Sequence, residues 1–113
     1  MANIDPTFST STGVATTTWA SVTSADTPIA MLNRGGARGA VQISGSFGTA
    51  PTVTLQGSND GTNWYTLKNV HGTDISVTAA ALHEFNSSAL YIKPGFTGGS
   101  GYTINITCVI RGR

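Results

Sequence analysis

Residues 102–110 read YTINITCVI, and their alternation decides the fold class. Tyr102, Ile104, Ile106, Cys108 and Ile110 are apolar at every second position, with Thr103, Asn105 and Thr107 between them until Val109 breaks the pattern. A period of two belongs to a strand with one buried and one wet face, whereas a helix would repeat at about 3.6. Upstream, AVQISGSF (40–47) sets Val41, Ile43 and Phe47 on one face, with Gly45 in the same phase marking a bulge or a close backbone approach. TVTLQ (52–56) follows after the turn GTAP. Fainter strand candidates are VATTTWAS around Trp19, PIAML from Pro28, DISVT after Gly72, and ALYIK before Pro94. No segment sustains helical spacing, and SVTAAALHEF (76–85) amounts at most to a short helical turn. Short strands at about ten-residue spacing, punctuated by Gly and Pro, predict an all-β fold, a jelly-roll-like antiparallel β-sandwich. The first dozen residues are polar, hold Pro6 and have no pattern that packs by itself. The expected organisation is an extended N-terminal arm (1–12), disordered or ordered by a neighbour, and a single β-sandwich domain (13–113).

At 113 residues the chain has material for one core. Charged residues make up 10% of it, against about 25% in an average soluble domain, so the surface is polar but nearly uncharged. A net charge of +1 supplies no field that would draw the protein to nucleic acid or to an anionic membrane, and neither is an expected partner. The single cysteine, Cys108, excludes an internal disulfide, which makes homo-oligomerisation the natural source of added stability. No window approaches the roughly 18 apolar residues of a membrane span, and MANIDPTFSTSTG lacks the basic-then-apolar order of a signal peptide. The expectation is a protein made in the cytoplasm, where the triplets NSS at Asn86 and NIT at Asn105 would not be glycosylated.

The stretch LQGSNDGTNWYTL (55–67) carries two adjacent aromatics just after an Asp-Gly turn. A two-residue loop at Asp60-Gly61 would pair Asn59 with Thr62 and mismatch the apolar faces of the two strands. A three-residue loop with Gly61 in the left-handed conformation pairs Ser58 with Thr62, Leu55 with Tyr65 and Val53 with Leu67. Asp60 and Gly61 thus define the turn, Tyr65 is expected in the core, and Trp64 on the polar face opposite Gln56. Trp64 is then either covered by the second sheet or the arm, or it anchors a partner, as tryptophan does at the centre of many interfaces.

Titratable groups do not converge anywhere in the sequence, so no enzyme is expected, and no cofactor or metal. His71 and Asp74 flank Gly72 in a turn, His83 and Glu84 would point to opposite faces of a strand, and Cys108 shares the phase of the core isoleucines. The Gly-rich NRGGARGA (33–40) holds Arg34 and Arg38 but only one Arg-Gly-Gly unit, too few for RNA binding of that type. It is a surface loop, or its guanidinium groups bond carboxylates or carbonyls of a protein neighbour. Arg111 and Arg113 at the C-terminal end admit the same two readings.

Ser58, Asp60, Gly61 and Trp64 form a pattern similar to the strand-turn-strand segment of discoidin-type domains. The chain is shorter than those domains, lacks their bracketing cysteine pair, and matches little beyond the hairpin. The same hairpin with the ending YIKPGFTGGSGYTINITCVIRGR resembles small virion proteins of tailed bacteriophages, over roughly the C-terminal half. That resemblance implies a head decoration or cement protein, a β-sandwich on the outer capsid surface that bridges major capsid subunits. The expected partner is then the major capsid protein, with Trp64, Ile4, Phe8 and the four arginines as contact residues. The discoidin resemblance implies instead a carbohydrate-binding module with Trp64 stacked on a glycan; a tail or fibre component is a further alternative.

Overall fold

The computed structural model describes residues 2–4, 7–11, 14–33, 38–87 and 89–111. Among them the chain forms strands β1 (Ala2–Ile4), β2 (Thr7–Ser11), β3 (Val14–Val22), β4 (Asp26–Pro28), β5 (Met31–Leu32) and β6 (Arg38–Ser46). β7 (Thr52–Ser58), β8 (Tyr65–Thr66), β9 (Ser76–Val77), β10 (Ala81–Asn86), β11 (Tyr91–Thr97) and β12 (Thr103–Arg111) follow. The fold is all-β. One sheet runs β10-β6-β12-β3-β2, and the other runs β5-β11-β7, with β8 and β9 sharing the far side of β7.

Pairing is nested: β3 joins β12, β5 joins β11, β6 joins β10 and β7 joins β8, all antiparallel. A long ribbon of such pairs, wrapped so that its segments fall alternately into two sheets, is the jelly roll expected from the sequence. Trp19, Val41, Ile43, Phe85 and the even residues Ile104 to Ile110 come from one sheet; Val53, Leu55 and Ile92 come from the other. Each fully buried aliphatic or aromatic side chain adds about 1.5–3 kcal/mol relative to exposure.

The core tryptophan is Trp19, fully buried, with its indole N–H donating to the carbonyl of Ile29 at 2.7 Å. Its strand changes phase. Ile106 faces Trp19 but Ile104 faces Val22, so β3 holds one residue more than β12 between these pairs. Ser21 absorbs the bulge with φ +55°, and its N–H donates to Oδ1 of Asn105 at 2.8 Å. Trp19 and Val22 both reach the core although three positions apart. Gly45 makes the close approach anticipated for it: at φ +120°, a Cβ there would lie 2.4 Å from the carbonyl oxygen of Thr103.

Four local expectations are revised. Residues 76–85, read as at most a helical turn, run from β9 into β10, and the one fully buried side chain of β10, Phe85, leaves little period-two signal beside the alanines. β11 continues through Pro94 instead of stopping before it. Opposite Pro94, Leu55 directs both its N–H and its carbonyl to the β8/β9 side, so this pair needs no N–H from proline. PIAML splits between β4 and β5. The N-terminal arm is paired within its own chain: β1 runs parallel to β4, and β2 extends the first sheet beyond β3.

Candidate interaction surfaces

The loop after β7 is built by two side chains. Ser58 Oγ accepts from the N–H of Gly61 at 2.9 Å and of Asp60 at 3.2 Å, and donates to Asp60 Oδ1 at 2.9 Å. Asp60 Oδ1 also accepts from the N–H of Thr62 at 2.8 Å and of Asn63 at 2.9 Å, while Oδ2 takes the Asn63 amide at 2.8 Å. These bonds, the Asn63 N–H first, hold the Asp60 carboxyl well below its usual 3.8. Gly61 sits at φ +75°.

The loop is longer than the register argument expected. Thr66 pairs with Gln56, Tyr65 with Gly57, and the Leu67 N–H donates to Leu55 at 2.8 Å. The slip is two residues, so the faces survive but the partners change. Leu67, not Tyr65, takes the inward place beside Leu55, and Val53 faces Val77. Tyr65 is therefore not a core residue: opposite a glycine at the sheet end, it is 71% exposed. Trp64 is half-buried, with Lys93 Nζ 4.4 Å from its ring centroid.

Tyr65 stands over an open cleft of about 430 Å³ lined also by Ser58, Asn59, Asp60, Asn63 and Leu67. The exposed aromatic was missed in the sequence; its one signal there was the side-chain-free partner, Gly57.

The arginines were read in separate segments, and the structure brings two together. Arg38 opens β6, Arg111 closes β12, and they are direct cross-strand partners. Arg34 and Arg113 lie outside the described residues, as do the side chains of Ile4 and Phe8, whose backbones face Pro28 and Thr17.

His71 is exposed in the loop before Gly72; Nδ1 of His83 lies 3.3 Å from the Asn69 amide. Cys108 is buried, and its thiol is pushed up to about 12 by desolvation. Among the described residues no three His, Cys, Asp or Glu side chains gather as a metal site, and no helix is long and apolar enough to cross a membrane.

No protein-family model matches the chain, and no curated protein matches it. Solved structures do. The chain is similar to the SPBc2 prophage-derived protein YomS, with a TM-score of 0.62 at 10% identity over 90% of this chain and 97% of that one. It is also similar to a cupin protein from Bacteroides fragilis, TM-score 0.42 at 13% identity, over 88% and 66% of the two chains. A third likeness, to protein NMB1881 from Neisseria meningitidis, has a TM-score of 0.40 at 7% identity over 94% and 82%. At such identity the YomS likeness is one of fold, and one fold hosts many functions.

Proposed function

We propose that this chain is a non-enzymatic structural protein of a bacteriophage virion, a decoration or cement protein that binds the outer surface of the head and bridges major capsid subunits. The observation that carries the reading is the fold shared with a prophage-derived protein over nearly the whole of both chains. The resemblance of residues 55–67 and 91–113 to small phage virion proteins supplies the narrower role. A surface with few charges fits attachment through contact area, and a protein that binds only the assembled head stabilises it by mass action.

The test uses heads assembled from the encoding genome with this gene deleted. Added purified chain is expected to co-sediment with the heads, to appear as density on their outer surface by cryo-electron microscopy, and to raise their melting temperature. Absence of the chain from heads, or its presence only in tails, overturns the head assignment.

A second reading, carbohydrate binding, is favoured by the exposed Tyr65 beside the amide-lined cleft. An aromatic face flanked by planar polar groups suits a sugar ring. Specific glycan binding that is lost in Tyr65→Ala would support this reading.

A further inference from the structure

Four of the six cationic side chains in this sequence are arginines, at positions 34, 38, 111 and 113. Far apart in the chain, the two in the described residues meet across β6 and β12, in the row Asn86, Arg38, Arg111, Val14. Both are exposed and outward, because their neighbours Gly39 and Ile110 face the core. Like charges directly opposite each other in a sheet are unfavourable. The ion pair among the described residues, Lys68 with Asp74 at 2.6 Å, involves neither.

The next row toward the sheet centre is Glu84, Ala40 and Val109, and the one after it begins with Leu82. Leu82 is 64% exposed, and Val70, whose N–H donates to the Glu84 carbonyl at 2.9 Å, is 49% exposed. These residues line one open groove of about 680 Å³ that has the arginine pair at one end.

We propose that this groove docks a segment of another protein whose carboxylates meet Arg38 and Arg111 and whose apolar side chains cover Val109, Leu82 and Val70. The inference rests on reading the chain as a protein that binds protein neighbours, and it names the chemistry of that contact. Two guanidinium forks match carboxylates in bidentate geometry. Adjacent rows on one face are about 7 Å apart, so an occupant with an acidic end and apolar residues at alternate positions fits in extended form. Glu84 in the middle row disfavours an occupant that is acidic throughout. Nucleic acid fits less well, because the one aromatic among the described residues that line the groove, Phe85, is buried and offers no face for a base.

The probe is a short peptide with two aspartates followed by Leu and Val at alternate positions, compared with its Asn isostere and a single-stranded oligonucleotide, using full-length protein and calorimetry. The aspartate peptide is expected to bind at least about tenfold more tightly than the Asn form, and more weakly as salt rises. Arg38→Gln with Arg111→Gln should abolish that preference while the melting temperature stays at or above wild type, and Leu82→Ser should weaken both peptides. Equal affinity for the two peptides, no binding of either, tighter binding of the oligonucleotide, or unchanged binding by the double variant would overturn the proposal. Deletion heads separate this from the virion assignment. Heads that take up the double variant as well as wild type overturn the groove alone, whereas heads that take up neither protein overturn the assignment and leave the groove to be judged by the peptides.

Discussion

The ammonium of Lys93 lies 4.4 Å from the centroid of the Trp64 ring, on the outer face of the sheet that contains β11 and β7. One face of the indole is thus occupied by a cation of the same chain, which fixes the ring and leaves less of it for a partner. A double-mutant cycle of Lys93→Met and Trp64→Leu is expected to give a coupling of about 0.5–1 kcal/mol in urea unfolding. Strictly additive effects would show that the two side chains do not interact in solution.

Trp19 and Tyr65 should behave oppositely on truncation. Trp19→Ala empties the centre of the core and is expected to cost about 3–5 kcal/mol, or to prevent folding. Tyr65→Ala removes a ring that is already in water and should change stability by no more than about 0.5 kcal/mol. A large loss from Tyr65→Ala in thermal melts would restore the shorter hairpin register.

Asp60 makes acid sensitivity local. Its folded pKa lies below the unfolded value, so its contribution is complete above about pH 4 and is lost as pH falls below that. Asp60→Ala is expected to lower the melting temperature at pH 7, with the gap to wild type narrowing as pH falls below 4. A gap that stayed constant down to pH 2 would mean that the carboxylate does not hold the loop.

Gly45→Ala tests the backbone contact with Thr103. The residue would have to keep φ +120° with its Cβ against a carbonyl oxygen of the neighbouring strand, so a cost of about 2 kcal/mol or more is expected. Gly72→Ala, also at positive φ but with open space around it, should cost less. Comparing the two denaturation midpoints isolates the steric part.

Cys108 should be silent to thiol reagents while the protein is folded. With its thiol raised to about 12, labelling at pH 8 is expected to proceed at the rate of unfolding and to accelerate with urea. Because the folded value is raised, the stability it contributes is present below the ordinary 9.0 and is lost as pH climbs from there toward 12. Rapid labelling without denaturant would contradict the burial.

Much of the architecture could be read from alternation, because strands such as β12 and β6 bury one face and wet the other. What escaped has identifiable causes. The bulge at Ser21 shifts phase, so Trp19 and Val22 belong to one face without showing a common period. β10 contributes one fully buried side chain to the core, and its Ala-rich approach resembles a helix start. In the hairpin, face parity was legible and register was not. The Ser58 and Asp60 side chains stabilise a six-residue loop, which turn statistics for backbone alone do not favour. The pairing of Arg38 with Arg111 was invisible for a different reason: it depends on which strands are neighbours, and spacing along the chain does not record that.

The place of β12 between β3 and β6 has a consequence for synthesis on the ribosome. It follows every other described strand in sequence, yet it is the strand on which the larger sheet closes. Until it emerges, β3 and β6 each present an unpaired edge and the isoleucines of β12 are missing from between the sheets. The nascent chain is therefore held open throughout translation of the domain, and completion is a late, long-range event of the slow kind expected for non-local β topologies. Ribosome-bound chains stalled before residue 103 should be protease-sensitive throughout, with protection gained in one step once β12 has cleared the exit tunnel.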